Sequence, residues 1–229
     1  EAAFVNASTN KVYGQLEHHR IEERATRYVD LDAPTGVSED QPLDPHSPYG
    51  CSKAAADVYV LDYGRIFGLK TLSLRQSCVY GPRQFGVEDQ GWVAWFALAV
   101  RLGRPLTIYG NGKQTRDLLH VYDLVDLYLR AAAGAEAFAG RAYNVGGGAG
   151  NTLSLLELLE RLEDWRGEPV EPGRAATRPG DQLVFVADGA RALADFGWKP
   201  TIAIEQGLDD LLRWIDAHAT DAGAILSVG

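Results

Sequence analysis

The chain has 229 residues, of which 46% are hydrophobic and 23% are charged, a composition typical of a folded globular protein. Its net charge of -9 and pI near 5.0 argue against a surface for nucleic acid or anionic membrane, because either would need an excess of lysine and arginine. We therefore expect a small-molecule partner, with no nucleic acid and no membrane.

The cysteines and the first residues bear on the setting of the chain. Cys51 and Cys78 fall in segments that resemble a helix and a strand, and the sequence has no secretory apolar region and no apolar run of about 18 residues. A reduced cytoplasm fits this pattern best. Because the chain contains no methionine and opens in the apolar run Ala2–Val5, we interpret it as a fragment.

Strands and helices alternate in the first half of the sequence. The predicted elements are a strand ending at Phe4–Val5, a surface loop over 15–48, a helix from Tyr49 to about Phe67, a strand over Lys70–Arg75 and a helix from about Trp92 to Leu102. The alanine run Ala54–Ala56 favours the first helix, and Gly68 supplies its stop. This part therefore reads as a strand–helix–strand crossover.

The alternation continues in the second half. The predicted elements are a strand over Pro105–Tyr109, a helix over Asp123–Ala133, a strand over Ala142–Val145, and helices that begin near Ser154, Gly189 and Ile204. Asp123 can cap its own helix, and Ser154 with Glu157 forms a possible capping box. The whole pattern predicts an α/β fold, a partial doubly wound parallel sheet of Rossmann type with a smaller mixed α/β lobe.

Tyr49 and Lys53 form the first candidate for chemistry. They are four residues apart, so both side chains project from one face of the predicted helix, one turn apart. An ammonium group beside a tyrosine hydroxyl stabilises the phenolate, which is the form that removes a proton from a hydroxyl group. The same spacing occurs by chance on many surface helices, so the pair alone leaves both readings open.

Several motifs in a fixed order resemble one enzyme family. They are Ser8–Gly14, Pro48–Lys53, Arg75–Pro82, Leu106–Gly112, Arg116–Val121, Tyr143–Gly146 and Arg178–Asp181. In this order they resemble the extended short-chain dehydrogenase/reductases of the NAD-dependent epimerase/dehydratase family. The resemblance implies NAD as the cofactor, a nucleotide-diphosphate sugar as the substrate, and a homodimer through the helix of Tyr49, with Val58, Leu61 and Ile66 supplying its apolar face.

The resemblance also implies a role for each matching residue. Tyr49 is the expected general acid/base on the reacting sugar hydroxyl, Thr9 hydrogen-bonds the same hydroxyl, and Lys53 holds the nicotinamide ribose beside Tyr49. The other expected contacts are Ser77 and Cys78 to the cofactor, and Gln90, Tyr109, Arg116 and Arg178 to the substrate. The two arginines suit charge-assisted bonds to a diphosphate.

For each arginine, a solvated surface charge or an intrachain pair with Asp117 or Asp181 stays open as an alternative. Arg83, Gln84 and Gln90 share one loop, which is expected to cover the sugar. For all three, a role that only stabilises this loop stays open.

The resemblance divides the chain into two parts. Residues 1–82 and about 118–148 are expected to form the C-terminal part of the dinucleotide-binding domain, and about 83–117 and 149–229 the nucleotide-sugar-binding domain. The glycine-rich turn for the cofactor pyrophosphate is expected before Glu1, as are the residues that decide between NAD and NADP.

Asn10 and Lys11 bear on the type of reaction. The resemblance implies that dehydratases of the family carry an acidic residue directly after the catalytic serine or threonine, where it helps to eliminate water. Because Asn10 and Lys11 follow Thr9, we expect an epimerisation instead. The segments Asn10–Gly14, Pro45–Lys53 and Gly81–Trp95 resemble family members that act on CDP-sugars, and this resemblance implies inversion at C2. A UDP-sugar 4-epimerase or a non-catalytic nucleotide-sugar-binding homologue stays open.

The glycine run and the histidines are not predicted to bind phosphate or metal. The run Gly146–Gly150 invites a phosphate-loop interpretation, but Asn151 breaks the required glycine spacing, so a hinge is predicted. The five histidines do not have the spacing of metal ligands, and no metal is predicted.

Overall fold

A computed structural model describes residues 2–225 of the protein. The strands of this part are β1 (Phe4–Thr9), β2 (Ile21–Glu23), β3 (Tyr28–Asp30), β4 (Thr71–Gln76), β5 (Cys78–Tyr80), β6 (Thr107–Tyr109), β7 (Thr115–His120), β8 (Arg141–Val145), β9 (Thr152–Ser154), β10 (Gly173–Ala175) and β11 (Val184–Phe185). The α-helices are α1 (Ser47–Phe67), α2 (Trp92–Leu102), α3 (Val121–Gly134), α4 (Leu155–Arg166), α5 (Ala190–Phe196) and α6 (Ile204–Ile225). A 3-10 turn covers Asn10–Tyr13.

The first sheet contains β1, β4 and β8 in that order, and all three strands are parallel. Gln76 at the end of β4 lies opposite Thr9 in β1 and Val145 in β8. Residues Thr71–Arg75 are buried, as expected for a strand covered on both faces. Because the strands are parallel, their carboxyl ends lie at one edge of the sheet, and the predicted site residues Thr9 and Ser77 lie at that edge.

The second sheet contains β5, β7 and β11 in parallel, with β9 antiparallel beside β7. Its strands come from distant parts of the chain, since Arg116 in β7 pairs with both Leu153 and Phe185. Two smaller pairs complete the strands, β2 with β3 and β6 with β10.

Helices cover the sheets with apolar side chains. One cluster joins α2, α4 and α6 to the second sheet, and its most buried members include Leu98, Ile108, Leu118, Leu158 and Leu211. Another joins α3 and α5 to the first sheet through Leu72, Leu74, Leu127, Tyr143 and Trp198. Parallel strands covered by helices confirm the predicted α/β class. The division into two domains stays a prediction, and its residues 1 and 226–229 lie outside the described part of the chain.

The local signals of several elements are confirmed. Helix α1 begins at Ser47, two residues before the predicted start, and ends at Gly68 in the left-handed conformation. Both hydrogen bonds of the Ser154–Glu157 capping box are present.

Three expectations from the sequence are wrong. Residues 15–48 are not only a loop, because they contain the β2–β3 pair, and Val37 is buried in a bridge to Ala187. Asp123 does not cap α3; its carboxylate accepts bonds from Thr201 and from the Ile202 backbone N–H, which holds the segment before α6. Leu61 does not belong to an exposed apolar face of α1, because it is buried.

Candidate active site

The start of α1 places Tyr49 and Lys53 beside the end of β1. Pro48 occupies the first turn, where its missing N–H costs no helical hydrogen bond. Tyr49 lies in the same turn with 55% of its surface exposed. Lys53 follows one turn later, and its Nζ donates to the Ala7 carbonyl oxygen in β1 at 2.5 Å. This bond fixes the Lys53 ammonium near the carboxyl end of the strand.

A buried ion pair holds α1 against the sheet. Arg75 in β4 donates to both carboxylate oxygens of Asp57 in α1, with the shortest distance 2.7 Å, and it also donates to the Tyr13 hydroxyl at 2.8 Å. The Asp57 side chain is fully buried and that of Arg75 is 6% exposed. Removing one partner of such a pair leaves an uncompensated buried charge, at a cost of about 3–5 kcal/mol. The pair therefore fixes the helix that carries Tyr49 and Lys53.

Thr9 is the last residue of β1 and is buried. Its hydroxyl oxygen accepts from the Lys11 backbone N–H at 3.3 Å, which caps the 3-10 turn, and donates to the Asn10 side chain at 3.2 Å. The hydroxyl is thus directed toward the turn that follows the strand.

A cavity of about 330 Å³ adjoins this turn and brings most of the predicted site residues together. The predicted residues that line it are Tyr49, Cys78, Gln90, Tyr109, Arg116 and Arg178. Among the described residues, Thr9, Lys53 and Ser77 do not line it directly, although Asn10 and Lys11, which follow Thr9, do.

Arg116 is nearly buried at the wall of the cavity. Its Nη2 donates to Asp181 Oδ1 at 2.8 Å and to the Gln182 carbonyl oxygen at 2.6 Å, and its Nη1 donates to the Thr115 carbonyl oxygen at 2.9 Å. Lys11 Nζ lies 3.4 Å from the same Asp181 oxygen. The pKa of Lys11 is lowered by burial and by the neighbouring Arg116, although Asp181 acts in the opposite direction.

Arg178 lies over the aromatic ring of Tyr109, with 3.8 Å between the guanidinium carbon and the ring centroid. It also pairs with Asp89 at 3.0 Å, while the Tyr109 hydroxyl donates to Glu88 at 2.9 Å. The intrachain alternative with Asp181 is therefore realised for Arg116. Arg178 pairs with Asp89 instead, a partner that the sequence did not suggest.

Ser77 and Cys78 connect β4 to β5. The Ser77 hydroxyl donates to the Asp117 carbonyl oxygen at 3.3 Å, and Cys78 Sγ accepts from Trp92 Nε1 at 3.2 Å. Burial raises the pKa of the Cys78 thiol, so the thiol stays protonated at neutral pH.

The glycine run is explained by close packing. Asp117 Oδ2 accepts from the backbone N–H groups of Gly148 and Ala187, and a Cβ atom at position 146 would overlap this oxygen. The absence of a side chain at Gly146 therefore lets the chain after β8 approach Asp117. The backbone N–H groups of Gly148 and Ala187 hold the buried carboxylate of Asp117.

The loop that contains Gln90 borders the cavity. Val87 and Gln90 exchange backbone hydrogen bonds of 2.9 and 3.0 Å, which close a tight turn, and Gln90 lines the cavity. Gln84 donates to the Val79 carbonyl oxygen at 3.2 Å, so it stabilises the loop.

Sequence reasoning missed the pair of Lys11 with Asp181, and the contacts of Glu88 with Tyr109 and of Asp89 with Arg178. The available signal was that Lys11 and Asp181 each lie inside a recognised motif. Because Lys11 and Asp181 are 170 positions apart, the sequence did not predict that they pair.

Two further features concern other classes of function. No three His, Cys, Asp or Glu side chains of residues 2–225 are grouped so that they could hold a metal ion. No helix in the described part of the chain is both long and apolar enough to cross a membrane.

Comparison with known proteins identifies the class. The model of the NAD dependent epimerase/dehydratase family matches residues 1–146. The chain therefore belongs to the NAD dependent epimerase/dehydratase family.

The chain is also similar to individual proteins of known activity. The chain is 46% identical over 216 residues to the CDP-paratose 2-epimerase of Salmonella typhi, covering 92% of this chain and 64% of that protein. It is 37% identical over 172 residues to the UDP-glucose 4-epimerase of Mycolicibacterium smegmatis, covering 75% of this chain and 54% of that protein. The chain thus spans less than two thirds of the length of these relatives.

A solved structure shows the same fold. The UDP-glucuronic acid 4-epimerase of Bacillus cereus, in complex with UDP-glucuronic acid and NAD, is 27% identical. It superimposes with a TM-score of 0.77, covering 94% of this chain and 62% of that one.

Proposed function

We propose that the whole protein carrying this chain is an NAD-dependent nucleotide-sugar epimerase. The observation that carries the proposal is one cavity that brings the tyrosine of the tyrosine–lysine pair together with two arginines suited to a diphosphate. Tyr49 lines this cavity together with Arg116, Arg178 and Tyr109, and Lys53 lies one turn behind Tyr49. This arrangement suits a sugar whose hydroxyl meets Tyr49 while its diphosphate meets the arginines.

The proposed chemistry at Tyr49 is proton transfer. Tyr49 Oη would take the proton of the reacting sugar hydroxyl and return it after inversion. Thr9 would hold the same hydroxyl through its side-chain oxygen, in exchange for its present bond to Asn10. The Lys53 ammonium would stabilise the negative charge on the Tyr49 oxygen while the proton is away.

The donor set around Tyr49 fits the nicotinamide part of NAD. Ligands of parallel α/β sheets bind outside the carboxyl ends of the strands, which is where β1 and β4 bring Thr9 and Ser77. Tyr49 and Lys53 would hold the nicotinamide ribose, and Ser77 and Cys78 would border the ring. Bound NAD would supply a hydride acceptor that gives the hydride back, so the reaction has no net redox change.

At the arginines, charge and stacking would hold the nucleotide. Arg116 and Arg178 would bond the diphosphate, and the ring of Tyr109 offers a face for the base. Gln90, in the turn beside the cavity, would contact the sugar.

We further propose that the reaction is the conversion of CDP-paratose to CDP-tyvelose through a 2-keto sugar. The support is the 46% identity to a CDP-paratose 2-epimerase and the presence of Asn10 and Lys11, rather than a carboxylate, directly after Thr9. A UDP-sugar 4-epimerase is the second candidate, favoured by the 37% identical UDP-glucose 4-epimerase.

The proposal also covers the oligomeric state of the protein and the compartment in which it acts. The exposed apolar side chains Val58, Tyr59 and Ile66 on α1 support a homodimer formed through this helix. Cys51 and Cys78 are free thiols, which agrees with a reaction in the cytoplasm.

A substrate panel tests the proposal. The whole protein is incubated separately with CDP-paratose, UDP-glucose and UDP-galactose, and the products are separated by chromatography. Conversion of CDP-paratose alone supports the C2 epimerase, while interconversion of the two UDP-sugars selects the second candidate. Binding of these nucleotide sugars without turnover of any of them would favour a non-catalytic homologue.

A further inference from the structure

Lys11 occupies an unusual position in the candidate site. Its backbone N–H donates to the Thr9 hydroxyl, and Lys11 itself lines the cavity, although Thr9 does not. Its side chain is 31% exposed, and Nζ lies 3.4 Å from Asp181 Oδ1. Lys11 is therefore bonded to Thr9 through its main chain and shares Asp181 with Arg116 through its side chain.

The charges around Lys11 do not balance locally. Asp181 Oδ1 accepts from both Lys11 Nζ and Arg116 Nη2, so one carboxylate is shared by two cations. The same cavity also holds Arg178, which pairs with Asp89, and the carboxylate of Glu88, which accepts from the Tyr109 hydroxyl rather than from Lys11 or Arg116. The Lys11 and Arg116 side chains thus retain one positive charge that Asp181 does not neutralise.

Sharing one oxygen brings the two cationic nitrogens close enough for another oxyanion to bridge them. Asp181 Oδ1 already has the geometry of such a ligand, because it lies at 2.8 Å from Arg116 and 3.4 Å from Lys11. A phosphate oxygen in the same place would accept hydrogen bonds from both Lys11 and Arg116, and a phosphate group carries more negative charge than a carboxylate. The Asp181 side chain is 27% exposed, and Asp181 lines the cavity.

We propose that Lys11 binds the sugar-side phosphate of the substrate diphosphate together with Arg116, and that Asp181 occupies the place of this phosphate until the substrate arrives. The inference rests on the proposed function. The sugar-side phosphate is chosen because the Lys11 main chain is bonded to Thr9, which is the residue expected at the reacting sugar.

The two residues then have opposite effects on binding. Lys11→Met removes a cationic ligand, and the loss of a charge-assisted hydrogen bond should weaken diphosphate binding about tenfold or more. Asp181→Asn removes the competing anion while keeping the shape of the side chain, and it should tighten binding. A role confined to maintaining the fold would make both variants bind less well.

The test is calorimetric titration of the whole, NAD-loaded protein. CDP and UDP carry the sugar-side phosphate, whereas CMP and UMP lack it, so the four ligands separate the two phosphate positions whichever base the protein prefers. Lys11→Arg should retain most of the affinity, and Lys199→Met, at an exposed position outside the cavity, is the matched control.

The expected result is weaker binding of the diphosphates by Lys11→Met, no change for the monophosphates, and tighter diphosphate binding by Asp181→Asn. Unchanged diphosphate affinity in Lys11→Met, or a loss in Asp181→Asn equal to that in Lys11→Met, would overturn the inference. If the wild-type protein binds none of the four nucleotides, the proposed function fails with it, an outcome recognisable before any variant is compared.

Discussion

Tyr49 is the residue on which the proposed chemistry depends. Tyr49→Phe removes the hydroxyl that would accept the sugar proton, so kcat should fall roughly 100- to 10,000-fold. Because Tyr49 is half exposed and phenylalanine keeps its ring, thermal unfolding should be nearly unchanged. The measurement is steady-state turnover of the preferred nucleotide sugar.

Tyr122→Phe is the matched control for Tyr49→Phe. Tyr122 is 61% exposed, lies outside α1 and does not line the candidate site. Its variant should retain wild-type kcat, and Tyr49→Phe activity within about twofold of wild type would remove Tyr49 from the role of acid/base.

Asp117 makes the stability of the protein depend on pH. Burial raises the pKa of its carboxyl from the ordinary value of 3.8 to about 6, and Oδ1 is buried without a hydrogen bond. The two backbone N–H groups that donate to the other oxygen act in the opposite direction and only partly offset this effect. The folded chain therefore binds a proton that the unfolded chain releases. The contribution of Asp117 to stability is greatest at low pH and is lost as the pH rises through about 6.

Asp117→Asn should remove this dependence, since an amide does not titrate. Relative to wild type, the variant should gain roughly 1 kcal/mol of unfolding free energy between about pH 5 and about pH 7.5. Urea unfolding of both proteins at the two pH values measures the difference. A constant difference between them would show that Asp117 has an ordinary pKa.

At the scale of elements, α1 is positioned by a close approach that glycine permits. A Cβ atom on Gly64 would lie 2.6 Å from the Gly140 backbone nitrogen and 2.7 Å from its Cα. Gly64→Ala should therefore destabilise the protein by about 1–3 kcal/mol through overpacking, although alanine is the better helix former by about 1 kcal/mol.

Gly223→Ala is the control for this prediction, because the nearest atom to a Cβ at that helical position is Leu102 Cδ2 at 3.7 Å. It should be neutral or slightly stabilising in urea unfolding. Equal stability of the Gly64→Ala variant and wild type would mean that α1 can move away from the sheet without cost.

Local signals predicted the elements whose causes are local. The helix at Tyr49, its glycine stop and the Ser154–Glu157 capping box depend on residues within a few positions of each other. The sequence did not predict the strands β7, β9 and β11, because their pairing joins distant parts of the chain. Arg116 in β7, for example, pairs with Leu153 in β9 and Phe185 in β11. Asp123 was misread for the same reason, since its partners Thr201 and Ile202 lie about 80 positions further along.

Local spacing likewise predicted only part of the candidate site. Tyr49 and Lys53 are one helical turn apart, so spacing alone placed them on one face, whereas the shared contact of Lys11 and Arg116 with Asp181 required the fold. The roles of all these residues stay predictions.

At the scale of the whole molecule, the proposed dimer places α1 at an interface. Val58 is 53% and Ile66 66% exposed on this helix, so a double Val58→Glu, Ile66→Glu variant would bury two charges per subunit in the dimer interface. Sedimentation of the whole protein should show a dimer for wild type and a monomer for the variant.

Leu31→Glu, which changes an exposed apolar residue away from α1, should leave the wild-type dimer intact. A wild-type monomer, or a double variant that still forms the dimer, would remove α1 from the interface.

The proposed reaction is an epimerisation at C2 of a CDP-sugar by internal hydride return. To test it, the whole protein is incubated with CDP-paratose in deuterated water and the reaction is followed by proton NMR. We expect CDP-tyvelose with no deuterium at C2, because the same hydride leaves and returns. Deuterium at C2, or turnover of UDP-galactose with no conversion of CDP-paratose, would contradict it.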